Sequence, residues 1–93
     1  MNEKFKTLRA LLDSAGVTVA EASELFKTSK PTIYHWCEGN VPSMPLVRDN
    51  AVKIISLIEK AVAGNSLPLV DVEPEDRVRE IMKALRKYLS SGA

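Results

Sequence analysis

Residues Thr18–Pro42, TVAEASELFKTSKPTIYHWCEGNVP, decide the fold. Two short apolar periodicities stand there, each behind its own start signal. Thr18 is a good N-cap, and Glu21, three residues on, completes a capping box, so a helix is expected from about Val19 to Lys27. Ala22, Leu25 and Phe26 make its apolar face. Ser29 opens a second helix, expected from about Lys30 to Glu38. Pro31 fits its first turn, where a missing N–H costs nothing. Ile33, Trp36 and Cys37 point one way; Lys30, Tyr34 and His35 point another, and Gly39-Asn40 ends the run. Two short helices joined by a tight turn are the layout of a helix-turn-helix. That layout needs a small residue where the second helix crosses the first, and Ser23 fits. It also needs apolar residues three apart facing back, as Ile33 and Trp36 do.

The flanks read as helices too. Phe5, Leu8, Leu11, Leu12 and Ala15 share one face of a helix from about Glu3 to Ser14, stopped by Gly16. After an extended stretch held by Pro42 and Pro45, a long helix is expected from about Leu46 to Ala63. Leu67, Leu69, Val70 and Val72 are too apolar for a free tether, and a short strand over 69–72 stays open. A last helix, from about Pro74 to Leu89, has Glu75 and Asp76 in its first turn and Arg86 and Lys87 in its last, matching the helix dipole. Its stripe is Val78, Ile81, Met82, Leu85, Tyr88 and Leu89. The expected fold is all-α: a compact helix-turn-helix domain of about four helices over residues 1–65, with a linker and C-terminal helix over 66–93.

Composition narrows the function. At 93 residues the chain makes about one domain, and 45% apolar residues suffice for one core. A formal charge of +1 argues against a non-specific basic coat, yet leaves room for a local basic face. No apolar run approaches the roughly 18 residues of a membrane span, and no signal peptide is read, so a cytoplasmic protein is expected. One cysteine and one histidine leave no material for a disulfide framework or a zinc cluster. No glycine-rich phosphate loop or catalytic triad is present, so no enzyme, cofactor, metal or small-molecule ligand is expected.

The stretch from about residue 5 to 62 resembles the Cro/repressor-type helix-turn-helix family of bacterial and phage regulators. Thr18, Glu21, Ser29, Thr32, Ile33, Trp36, Gly39 and Pro42 carry the resemblance. Three positions depart from that pattern: Val19 where the family often has glutamine, Lys27 where it usually has glycine, and Thr28 where it is usually aliphatic. The resemblance implies a transcriptional regulator, in the first instance a repressor. It implies that the helix opened by Ser29 lies in the major groove of double-stranded DNA, and that a homodimer reads an inverted repeat.

The DNA-contacting candidates are Ser29, Lys30, Thr32, Tyr34, His35 and Arg48. Lys30 suits a phosphate or guanine O6/N7, and Ser29 caps its helix in either reading. Tyr34 either meets a thymine methyl or phosphate, or packs on Pro42–Pro45. Thr32 and His35 are contacts or plain surface residues. A nucleophile–base dyad of His35 with Cys37 fails, because residues two apart on a helix diverge. For the C-terminal stripe two readings stay open: packing within one chain, or dimerisation through Leu67, Leu69, Val78, Ile81, Met82, Leu85 and Leu89, the favoured one. A different class is a recognition subunit of a larger assembly, such as a small packaging-terminase subunit.

Overall fold

In a computed structural model, which describes residues 3–91, every regular element is helical. Six helices follow in order: α1 (Glu3–Lys6), α2 (Leu8–Ala15), α3 (Val19–Leu25), α4 (Lys30–Cys37), α5 (Pro45–Ala63) and α6 (Arg77–Ser91), the last entered through a 3₁₀ turn, Pro74–Asp76. The expected all-α class is what the chain adopts. The boundaries differ at the ends, where helices fray or tighten. The single first helix is interrupted at Thr7 (φ −101°, ψ 4°), which becomes the N-cap of α2, its O accepting from Leu11 N–H at 2.9 Å. Among the described residues there is no strand, and 69–72 is irregular.

Local signals set these helices. The Glu21 N–H donates to Thr18 Oγ1 at 3.1 Å and the Thr18 N–H to Glu21 Oε1 at 3.0 Å, a reciprocal capping box. Gly16 closes α2 at φ +66°. A Cβ built there meets Pro68 Cβ at 2.8 Å, so both the backbone and the neighbouring loop demand glycine.

One core draws on every long helix. Phe5 and Leu8 from the first two helices, Ile33 from α4, Ile55 and Ile58 from α5, and Ile81 from α6 are fully buried. Trp36 is the hub, with Phe5 and Phe26 packed edge-on at ring-centroid distances of 5.8 and 5.6 Å. On α3 the fully buried small residue is Ala22, while Ser23 is half-buried and returns its hydroxyl to Ala20 O at 2.6 Å.

The C-terminal segment does not stand apart as a dimerisation element. Leu67, Ile81 and Leu85 are 2%, 0% and 6% exposed within the single chain. Leu69, Met82 and Tyr88 pack against the same core, Val78 is half-buried, and only Leu89 of the stripe stays open. The dimer expectation for Leu67, Leu69, Val78, Ile81, Met82, Leu85 and Leu89 rested on an unpartnered stripe; α3 and α5 are its partners. The division at residue 65 likewise cuts through one core. Polar contacts fasten α6 down. Arg77 Nε and Nη2 donate to Glu21 Oε2 and Oε1 at 2.6 and 3.3 Å, and Nη2 also donates to Gly16 O at 2.5 Å. At the other end Tyr88 Oη lies 3.0 Å from Ser66 Oγ and covers Gly64.

Candidate nucleic-acid interface

The helix-turn-helix candidate is α3, the turn Phe26–Ser29 and α4. The turn depends on one residue: Lys27 sits at φ 55°, the left-handed region where glycine is cheapest. Thr28 N–H donates to Ser23 O at 2.9 Å and Lys27 N–H to Glu24 O at 3.3 Å, tying the turn to the end of α3. Ser29 then caps α4, accepting from Thr32 N–H at 3.3 Å, and its Oγ also lies 2.9 Å from Thr32 Oγ1.

From that start, α4 divides its sides cleanly. Ile33 and Trp36 are 0% and 5% exposed and anchor it. Ser29, Lys30, Tyr34 and His35 are exposed, and Thr32 is half-buried. Tyr34 keeps 53% of its surface in solvent, a large aromatic area outside the core. It lines a shallow cavity of about 200 Å³ shared with Arg9, Asp13, Thr18, Val19 and Cys37. That cavity is on the α2–α3 side, and no residue of the Pro42–Pro45 segment lines it. The position was legible from the helical spacing; its neighbours Arg9 and Asp13, one turn apart on α2, were not tied to it by any local signal.

His35 Nδ1 lies 3.3 Å from Asn40 Nδ2 and 4.0 Å from Glu38 Oε1. Burial pushes the half-buried Cys37 thiol up, with Asp13 and Glu38 adding to it against Arg9, the opposite direction to the lowering that activates a nucleophilic cysteine. Arg48 stands on the first turn of α5, its Nε 3.9 Å from Asp49 Oδ1. It is the one candidate outside α4 and its cap. Lys4, on α1, is taken by Glu59 at 2.7 Å. Among the described residues no group of three or more His, Cys, Asp or Glu side chains is placed to hold a metal ion. No described helix is long and apolar enough to cross a membrane.

The fold and this face together define a small all-helical domain that presents one short polar helix face, anchored by a tryptophan. Compared with protein families, with curated proteins and with solved structures, the chain matches none.

Proposed function

We propose that the chain is a sequence-specific DNA-binding transcriptional regulator, acting in the cytoplasm as a repressor. In this reading α4 enters the major groove of double-stranded DNA, and two copies occupy an inverted repeat. The observation that carries it is the division of α4: Ile33 and Trp36 hold one side in the core, while Lys30, Tyr34 and His35 are offered to solvent along the other. Lys30 supplies a cation for a guanine edge or a phosphate, and Tyr34 supplies apolar surface suited to a thymine methyl. Ser29 and Thr32 add hydroxyls near the α4 N-terminus, where partial positive charge favours phosphate. Arg48 adds a flanking phosphate contact after turning from Asp49.

Selection from random duplex DNA at about physiological salt tests this, since low salt inflates the phosphate contribution. The parent chain is expected to enrich an inverted repeat. Lys30→Ala and Tyr34→Ala are each expected to weaken the selected site by about 1–3 kcal/mol while melting like the parent. Equal affinity in both variants removes α4 from the groove.

A further inference from the structure

The N-terminal half of α5 leaves apolar surface uncovered. Leu46 is 76% exposed, Met44, its helix cap, 64%, and Val47 40%. Val47 also lines an open cleft of about 510 Å³ between the Phe26–Ser29 turn and α5. Leu25, Phe26, Trp36, Ala51 and Ile54 form the rest of its apolar wall. The charged residues lining it are Lys27 and Lys53, and no carboxylate does. Neither lysine has an ion-pair partner among the described residues; Asp49, four residues before Lys53 on α5, lies 3.9 Å from Arg48.

We infer that this cleft is the docking site for an acidic amphipathic segment of a partner protein. Its apolar side chains enter between Phe26, Trp36, Val47 and Ile54, and its carboxylates meet Lys27 and Lys53. The volume falls in the range of binding clefts, and the lining joins an apolar wall to a few polar groups, Lys27, Thr28, Asn50 and Lys53, that set orientation. An uncovered strip from Met44 to Val47 extends beyond the cleft and suits an elongated occupant. A second copy of this chain seated face to face would set Lys27 and Lys53 against their own equivalents, a like-charge contact. Duplex DNA would satisfy the lysines and leave the apolar wall unused. The inference stands without the DNA reading, because the cleft lies off the Lys30–Tyr34–His35 face.

Trp36 is the single tryptophan, so its emission reports the cleft directly. The full chain is titrated with a synthetic helical peptide carrying leucine on one face and glutamate on both flanks, and with a twin in which lysine replaces every glutamate. The acidic peptide is expected to change Trp36 emission saturably and to bind at least about tenfold more tightly than the twin. Lys27→Glu/Lys53→Glu, two exposed positions, should melt like the parent and reverse that preference. Equal binding of the two peptides, no saturation, or an unchanged preference in the double variant overturns the proposal. So does a concentration-dependent dimer that Val47→Glu disperses, which makes the occupant a second copy. A Trp36 response to duplex DNA that the double variant loses also overturns it, and gives the cleft to nucleic acid.

Discussion

Lys27 shows how much a single backbone angle can ask of a residue. Its φ of 55° belongs to the region where a Cβ meets the following carbonyl, at about 1–2 kcal/mol for an L-residue. Asn65 and Asp71 adopt similar angles, but their short polar side chains tolerate them better. Lysine has no such help, so the turn holds only because α3 and α4 are both fixed by the core on either side of it. Lys27→Gly should relieve this strain. Glycine gives back roughly 0.5–1 kcal/mol through the wider freedom of the unfolded chain. The net expectation is a gain of about 0.5–1 kcal/mol, read as a higher urea midpoint with an unchanged slope. A lower midpoint would mean that the lysine side chain contributes more than its backbone costs. The departure from glycine was visible in the sequence; that the chain keeps the left-handed angle regardless needed the structure.

Among the elements, α6 is fastened to α3 by charge as well as by packing. The Arg77 and Glu21 side chains are 25% and 13% exposed, so the pair is partly sheltered from solvent screening. Burial pushes the Glu21 carboxyl up, but the hydrogen bonds from Arg77 and from the Thr18 N–H and hydroxyl, with the Arg77 charge, outweigh it and hold the group below its ordinary value of 4.5. The folded chain therefore holds this proton less tightly than the unfolded chain does. The resulting stabilisation is full above the unfolded value and drains away as pH falls through the lowered folded value. Arg77→Met keeps the apolar stem and removes the hydrogen bonds. It should cost about 1–2 kcal/mol near pH 7. Denaturation midpoints taken from about pH 7 to about pH 3 should fall less steeply in the variant than in the parent. Parallel curves would mean that the pair does not couple folding to acid. This clasp marks the limit of what was legible. Thr18, Glu21, Ser29, Pro31 and Gly16 act on neighbours a few residues away, so the helix starts and stops were readable from order alone. Arg77 reaches a carboxylate 56 residues back, and no spacing announces such a partner. The same limit hid Tyr34's cavity, whose walls come from α2, α3 and α4.

At the scale of the whole molecule, the question is whether residues 66–93 are an appendage or part of the cooperative unit. Helical periodicity showed that α6 has an apolar stripe, and it is equally consistent with a stripe facing a second chain. Only the packing decides, and it puts Leu67, Ile81 and Leu85 in the core with Ile55 and Ile58. Burying each such side chain is worth about 1.5–3 kcal/mol, so these three amount to about 5–9 kcal/mol. A chain of this size has a total stability of about 5–15 kcal/mol. Removing the segment also strips Glu21 of Arg77 and uncovers the α5 face that α6 now shields. A chain ending at Asn65 should therefore lose most of its stability, although it keeps α3, the turn and α4 intact in sequence. Thermal unfolding followed by circular dichroism should show a broad, non-cooperative loss of helix in the short chain and a single sharp transition in the full one. A sharp transition in the short chain would restore the division at residue 65 and free the C-terminal stripe for a partner. The broad loss would make α6 a condition for presenting α4 at all, so that Ile81→Ala, far along the chain from Lys30 and Tyr34, weakens any partner of α4 by depleting the folded population.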